Sequence, residues 1–147
     1  MYKILLLEDD PATSSSINKL FSEFCQIHIT SSASIALHLV SLNMYNLVMI
    51  DINLQPEGSA LNTAHTIKNM SSYNSFPIVG FTQLSSIGNK EYLLSRGYTH
   101  FINEPFNIRN FAQHIKFIIS SHLDTNRNSF LPSGITPVPK MLFYNGK

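Results

Sequence analysis

Short apolar runs alternate along the chain with longer stretches in which apolar residues recur every three or four positions. The runs lie at 2–8, 25–30, 45–51, 76–82 and 99–103. Short runs of this kind predict parallel strands that are buried on both faces. The three- and four-residue spacing in the stretches between and after them predicts amphipathic helices. The pattern therefore predicts five strands, each followed by a helix.

Capping residues mark the ends of several predicted helices. Asp10 stands directly before Pro11, and Asn107 precedes the last helix, so each can cap a helix N-terminus. The fourth helix is predicted over 84–97, with Gly97 as its stop. These positions support the boundaries that the apolar pattern predicts.

Five strands that alternate with five helices predict the α/β class. The short loops favour a doubly wound, five-stranded parallel sheet with helices on both faces. In such sheets the functional site lies in the crevice beyond the carboxyl ends of the strands. We expect residues 1–122 to form this domain.

Residues 123–147 break the alternating pattern. They are rich in Asn, Ser and Pro, which predicts an extended tail rather than a packed helix. The segment MLFY at 141–144 is nevertheless strongly apolar. It either folds back on its own domain or docks on a second subunit or another protein.

Composition and charge exclude several classes of protein. The 147 residues are 44% hydrophobic and 13% charged, which is typical of one folded domain. The net charge of +1 supplies no basic excess for direct binding to nucleic acid. The apolar runs are far shorter than the roughly 20 residues of a membrane helix, and the chain starts without a signal-peptide pattern. We therefore expect a cytoplasmic protein without a membrane span.

Acidic residues concentrate at the carboxyl ends of the predicted strands. Like charges gathered there raise one another's pKa values and destabilise the fold unless a cation is present. A hard divalent ion such as Mg²⁺, bound by carboxylate and carbonyl oxygens, would relieve that repulsion. Helix capping is the alternative role for Asp10. The strand-end acids are Glu8, Asp9, Asp10, Asp51 and Glu104.

Two motifs contain the ends of the first and third predicted strands, "KILLLEDD" at 3–10 and "LVMIDINLQPEG" at 47–58. The first resembles the opening strand and acidic pair of the receiver domain of two-component response regulators, and the second is similar to the phosphoacceptor strand and loop of that family. The resemblance implies a flavodoxin-like receiver topology and a phosphoacceptor at Asp51. It also implies a Mg²⁺ ion that is bound by Glu8, Asp9, Asp51 and the backbone carbonyl of Asn53.

Two further motifs extend the resemblance to the second half of the domain. "PIVGFT" ends in Thr82, which the resemblance implies contacts the phosphoryl group. "FINEPF" is similar to the family's fifth strand, which implies that Phe101 is the switch aromatic and that a cis bond precedes Pro105. Structural roles are the alternative, because threonine favours strands and Phe101 could be an ordinary core residue.

The chain departs from the family at Glu104, where the family usually has a lysine before the proline. That lysine offers positive charge to the phosphoryl group, and two unit charges 4 Å apart interact by about 4 kcal/mol near a protein surface. The negative charges of neighbouring acids could raise the pKa of Glu104 and keep it protonated. Alternatively, Glu104 could act as a metal ligand, or turn to solvent while another cation enters the site. The candidate cations are Lys68, Lys90 and Arg96. The sequence is therefore compatible both with phosphorylation of Asp51 and with its loss.

The resemblance implies a stand-alone receiver that signals by protein–protein contact. In the first alternative, a histidine kinase or a phosphotransfer protein phosphorylates Asp51. In the second, a degenerate receiver acts without phosphate as a constitutive adaptor or dimerisation module. The third is a phosphohydrolase with an aspartate nucleophile, which typically has a second aspartate where this chain has Asn53, so we expect no enzyme.

The resemblance also implies an output surface. Family members bind their targets through the fourth helix, the fifth strand and the fifth helix, where Tyr92, His114 and Phe117 could contribute contacts. The tail is a second candidate surface for a target protein. A homodimer is a further option.

Overall fold

The computed structural model describes residues 1–70, 77–82, 90–103, 107–123 and 142–145. Within these ranges the strands are β1 (Tyr2–Leu7), β2 (Cys25–Thr30), β3 (Leu47–Asp51), β4 (Ile78–Phe81), β5 (His100–Asn103) and β6 (Leu142–Asn145). The helices are α1 (Pro11–Phe21), α2 (Ala33–Leu42), α3 (Ser59–Lys68), α4 (Lys90–Ser95) and α5 (Ile108–Leu123). The predicted alternation is confirmed, and the first part of the predicted fourth helix lies outside the described residues. None of the helices in these ranges has the length and hydrophobicity needed to cross a membrane.

Neighbouring strands of the sheet are all parallel, in the order β2-β1-β3-β4-β5-β6. The first five strands have the order of a flavodoxin-like fold, which confirms the predicted doubly wound sheet. The sixth strand lies outside β5 and comes from the apolar segment at 141–144. In this structure residues 142–144 of that segment, together with Asn145, fold back on the domain and extend the predicted sheet by one strand.

Hydrophobic layers cover both faces of the sheet. Successive residues of a strand point to opposite faces, so Leu5 and Leu7 lie in one layer. Ile4 and Leu6 of the same strand lie in the other. Helices α2, α3 and α4 pack on the first face, and α1 and α5 pack on the second. Each fully buried aliphatic side chain stabilises the fold by about 1.5–3 kcal/mol relative to an exposed one. A slip of one strand would move its buried side chains to the other face, so the two layers hold the strands in a fixed register.

Capping contacts fix the ends of several helices. The backbone N–H of Thr13 donates to Asp10 Oδ2 at 3.0 Å, which caps α1. The backbone N–H of Asn110 donates to Asn107 Oδ1 at 3.1 Å, which caps α5. Both predicted caps are confirmed. Gly97 follows α4 with a φ of +111°, a left-handed conformation that favours glycine at a helix end.

Candidate functional site

The carboxyl ends of β1 and β3 bring three carboxylates together. Leu7 of β1 pairs with Ile50 of β3, so the residues that follow them lie side by side. Glu8, Asp9 and Asp51 each offer one oxygen, and the three oxygens lie within 4.8 Å of one another. No other group of three such potential ligands occurs in the part of the chain that the structure describes. We call these three residues the acidic cluster.

Burial and repulsion shift the pKa values in the acidic cluster. Burial is the main cause that raises the pKa of Glu8 to about 8, and the charges of Asp51 and Asp9 add to it. The N–H of Asp10 donates to Glu8 Oε1 at 2.9 Å and opposes the shift. Burial also raises the pKa of Asp51, against a hydrogen bond from the N–H of Asn53 to Oδ1 at 3.0 Å. The fold thus gathers negative charge where water solvates it poorly, as a cation site does.

Asp10 points to the helix rather than to the acidic cluster. The backbone N–H and the hydroxyl of Thr13 both donate to Asp10 Oδ2. These hydrogen bonds hold the pKa of Asp10 below its usual range. The capping role that the sequence offered as an alternative is therefore the one that Asp10 has in this structure.

A cleft of about 260 Å³ opens beside the acidic cluster. It has room for an ion and several groups of the size of a water molecule. Its wall combines carboxylates with a hydroxyl and an amide, so it offers both ligands for a cation and donors for an anion. The lining residues are Glu8, Asp10, Thr13, Asp51, Asn53, Phe81 and Thr82.

Thr82 and Asn53 form the polar wall of this cleft. Asn53 Nδ2 donates to Thr82 Oγ1 at 2.6 Å, and only 1% of Thr82 is exposed. Gln55 supports the same loop, because its N–H donates to Asp9 Oδ2 at 3.1 Å. Its side-chain amide donates to the carbonyl oxygen of Asn53 at 3.4 Å. The sequence pattern does not predict these contacts of Gln55, and the signal that could have identified them is its place two residues after Asn53.

Phe101 is packed in the core. Its ring is fully buried and contacts the ring of Tyr98, with centroids 5.2 Å apart. Tyr98 Oη donates to the carbonyl oxygen of Ala60 at 3.1 Å. Gly80 makes room for both rings, because a Cβ there would lie 2.9 Å from a ring atom of each. We call Gly80, Tyr98 and Phe101 the Tyr98 cluster, in which the roles of Gly80 and Tyr98 were not predicted from the sequence.

The position that departs from the family lies outside the described residues. This applies to Glu104 and to the predicted cis bond before Pro105. Of the cations that could replace the missing lysine, Lys68 ends α3 and lies beside Gly97, which precedes β5: a Cβ added at Gly97 would be 3.0 Å from Lys68 Cβ. Arg96 follows α4 and donates to Asn62 Oδ1 at 3.3 Å. Neither contact places a positive charge at the acidic cluster, so this arrangement does not support the predicted replacement by these two residues.

Comparison with protein families gives one assignment for most of the chain. The family model for the response regulator receiver domain matches residues 4–116. The matched range contains β1 from Ile4 onwards, the whole of β2 to β5 and the whole acidic cluster. Receiver domains are generally non-enzymatic signalling modules.

Solved structures of receiver domains share the fold. A CheY-like receiver domain protein from Methanospirillum hungatei has a TM-score of 0.72 and 23% identity, over 85% of this chain and 98% of its own. The chemotaxis response regulator CheY4 of Vibrio cholerae has a TM-score of 0.72 and 18% identity, over 80% and 98%. The receiver domain of Francisella response regulator 1452 has a TM-score of 0.70 and 21% identity, over 82% and 98%. At these identities the likeness shows the fold alone.

A curated relative extends the comparison to a multidomain protein. The chain is 28% identical over 138 residues to histidine kinase P4 of Formosa agariphila. The match covers 90% of this chain but 10% of that protein, so the chain spans about a tenth of the relative's length. Because the family model covers most of the chain and the acidic cluster lies at the matched strand ends, the chain belongs to the receiver domain family of two-component response regulators.

Proposed function

We propose that the chain is a signalling receiver that accepts a phosphoryl group on Asp51 and passes its signal by protein–protein contact. The acidic cluster carries this proposal, because its three oxygens lie within 4.8 Å of one another beside the buried hydroxyl of Thr82. An aspartate that accepts a phosphoryl group needs a cation site and donors aimed at the transferred group. The proposal includes no enzymatic activity of the chain itself.

Mg²⁺ suits the acidic cluster by its chemistry. Three carboxylates supply hard oxygen ligands, and the backbone carbonyl of Asn53 is the fourth proposed ligand. The raised pKa values of Glu8 and Asp51 reflect crowded and poorly solvated carboxylates, which a divalent cation would stabilise in their charged form. When bound, the ion would offset the negative charge of the acceptor and of an incoming phosphoryl group.

The chain's own residues orient the proposed acceptor. The N–H of Asn53 donates to Asp51 Oδ1, which fixes the plane of the carboxylate and the direction of its other oxygen. Thr82 Oγ1 accepts the hydrogen bond from Asn53 Nδ2, so the hydroxyl hydrogen of Thr82 points in another direction. We propose that this hydrogen is donated to a phosphoryl oxygen in the cleft.

A phosphorylation-independent receiver is the second candidate function. Glu104 favours it, since a carboxylate stands where the family usually has the lysine. The Tyr98 cluster favours it as well, because Phe101 is already buried and packed against Tyr98. Such a receiver would bind its target constitutively, as an adaptor or a dimerisation module.

The proposed partners follow from the family. A histidine kinase or a phosphotransfer protein would donate the phosphoryl group in the cytoplasm. A target protein would contact α4, β5 and α5, where Tyr92 is half exposed and His114 and Phe117 are partly exposed. The division into a domain at 1–122 and a tail at 123–147, and the lack of direct nucleic-acid binding, stay predictions.

Phosphorylation of the purified chain tests the choice between the two candidates. The chain is incubated with Mg²⁺ and acetyl phosphate, and the intact mass is followed over time, with Asp51→Asn as the negative control. We expect the wild type to gain one phosphoryl group. We expect Glu104→Lys to gain it at least about tenfold faster, because exchanging repulsion for attraction changes the barrier by more than the 1.4 kcal/mol that corresponds to tenfold.

A matched charge variant separates a local effect from one of net charge. Glu91→Lys makes the same change of charge at an exposed position of α4, and we expect it to be phosphorylated at the wild-type rate. Labelling of Glu104→Lys without any labelling of the wild type would replace the first candidate by the second. Labelling of neither chain would contradict the first candidate.

A further inference from the structure

Within the described residues, the outer edge of β5 is covered by β6. Residues Leu142–Asn145 pair with His100–Asn103 one for one, in parallel. Without that partner, β5 would present a row of unpaired backbone N–H and C=O groups. Such an edge binds an added strand through main-chain hydrogen bonds. The edge of β5 is therefore a binding site for a strand.

The connection from β5 through α5 to β6 has the opposite hand from the other connections of the sheet. From β1, α1 leads towards the β2 end of the sheet, whereas α3 and α4 lead the other way on the opposite face. These connections share one hand. The connection through α5 leads away from β2, yet α5 lies on the face of α1, where the rings of Phe21 and Phe111 are 5.7 Å apart.

The opposite hand of this connection bears on whether β6 pairs with β5 of its own chain or with β5 of a second chain. About 98% of connections between parallel strands are right-handed. Pairing of β6 with β5 of the same chain requires the rare hand. Pairing with β5 of another chain forms the same backbone contacts and requires no connection within one chain. The topology therefore favours a partner strand from a second molecule.

The segment between α5 and β6 is long enough to reach a second molecule. Residues 124–141 separate the end of α5 from the start of β6. A chain of about 18 residues spans up to roughly 60 Å when it is extended. The segment contains Pro132, Pro137 and Pro139, and proline-rich linkers act as extended, semi-rigid spacers. Its length and composition thus suit a strand that is delivered to a neighbour.

We propose that two copies of the chain exchange β6, so that residues 142–145 of each copy pair with β5 of the other. The exchange is reciprocal and closes as a two-fold dimer, in which both β5 edges are covered. The net charge of +1 imposes little repulsion between two copies. This interface does not depend on phosphorylation of Asp51, so it stands or falls separately from the proposed function.

Disulfide trapping between two full-length variants, each with one introduced cysteine, tests the exchange. Asn103 and Asn145 are direct partners in the register, and paired strand positions lie within the Cα distance that a disulfide needs. Asn103→Cys is mixed with a size-tagged Asn145→Cys chain and oxidised. The native Cys25 is buried, and burial raises the pKa of its thiol to about 11, which keeps it unreactive.

We expect a mixed disulfide dimer as the main product, at least about tenfold above the dimer that either variant forms alone. The register control is Leu142→Cys in place of Asn145→Cys, which moves the thiol roughly 10 Å along the strand and should abolish the product. Replacing both Phe143 and Tyr144 by Pro in the tagged chain should also abolish it, because prolines at adjacent positions remove a backbone donor on either side of the strand.

The double variant Asn103→Cys/Asn145→Cys supplies the opposite outcome. If β6 pairs only within its own chain, oxidation closes a disulfide inside the monomer. That result, together with no mixed dimer above the level of the single variants, would overturn the proposal. A dimer of the double variant that is joined by two disulfides would support it.

Discussion

The acidic cluster and the Tyr98 cluster lie on neighbouring strands of one sheet, yet they contribute to stability with opposite signs. In the acidic cluster, burial and the charges of neighbouring carboxylates raise the pKa values of Glu8 and Asp51. The Tyr98 cluster packs two buried rings in the space that Gly80 leaves. Burying the carboxylates of the acidic cluster therefore lowers the stability of the folded chain, whereas burying the rings of the Tyr98 cluster raises it.

This difference separates the residues that serve chemistry from those that hold the strands in place. A site that destabilises the fold is retained for what it binds, whereas a tightly packed site supplies the rigidity that the other needs. Neutralising an acid should therefore stabilise the chain. Removing a ring from the Tyr98 cluster should destabilise it.

The largest expected effect is that of Tyr98→Ala. The change removes a buried ring, its contact with Phe101 and the hydrogen bond to the carbonyl oxygen of Ala60. Aromatic-to-alanine changes in cores lower the free energy of unfolding by about 3–5 kcal/mol. Urea unfolding followed by circular dichroism measures this loss. Tyr92→Ala, at a half-exposed tyrosine of α4, is the matched control and should change the free energy by less than about 0.5 kcal/mol.

The next effect is that of Gly80→Ala. An added Cβ would lie 2.9 Å from ring atoms of Tyr98 and Phe101, so the rings must shift. Overpacking of this kind lowers the free energy of unfolding by about 1–3 kcal/mol.

A double-mutant cycle decides whether the rings cause that loss. Gly80→Ala should destabilise a Tyr98→Ala chain less than it destabilises the wild type, because the space of the ring is then empty. We expect a coupling energy of at least about 0.5 kcal/mol. Additive effects of the two changes would show that Gly80 is not there to accommodate Tyr98.

Glu8→Gln tests the opposite sign of the acidic cluster. The folded pKa of Glu8 is about 8, well above the usual value for a glutamate in an unfolded chain. In metal-free buffer, the stability that Glu8 contributes is therefore fully present below about pH 4.5 and is lost as the pH rises through 8. Gln carries no charge, so the variant should unfold at a higher urea concentration than the wild type at pH 8 and at a similar one at pH 5. Each unit by which folding raises the pKa of Glu8 corresponds to about 1.4 kcal/mol of unfolding free energy that is lost once Glu8 is ionised.

Addition of Mg²⁺ provides the control for this pH effect. The ion should raise the unfolding temperature of the wild type more at pH 8, where about half of the folded chains carry an ionised Glu8, than at pH 5, and should raise that of Glu8→Gln less. Burial lowers the pKa values of His100, His114 and His122, which raises the stability of the whole chain from pH 5 to pH 8, so the test compares the two chains at each pH. A stability difference between Glu8→Gln and the wild type that does not grow from pH 5 to pH 8 without metal would contradict the effect of burial and repulsion on Glu8.

The two clusters also differ in how far the sequence predicts them. Glu8 and Asp51 follow apolar runs directly, and parallel strands align their carboxyl ends, so the pattern suffices to bring these acids together. The fit of Gly80 to Tyr98 depends on the register between β4 and β5, in which Gly80 pairs with Phe101. No local pattern encodes that register. The apolar character of the segment at 141–144 was likewise recognised, but its pairing with β5 as a sixth strand was not predicted.

The smallest expected effect is that of Asn53→Ala, at the residue that joins the acidic cluster to β4. The change removes the hydrogen bond from Asn53 Nδ2 to the buried Thr82 Oγ1, which should lower the free energy of unfolding by about 1 kcal/mol. The proposed metal ligand at this position is the backbone carbonyl, which alanine retains. Titration with Mg²⁺, followed by calorimetry, should therefore give an affinity within about threefold of the wild type.

Asp9→Asn is the comparison, because it replaces a charged ligand of the acidic cluster and should weaken binding by at least tenfold, on the order of 1.4 kcal/mol. Equal losses of Mg²⁺ affinity in the two variants would mean that the side chain of Asn53, rather than its backbone carbonyl, binds the ion. Asn53 would then belong to the charged site and not to the packed structure that supports it.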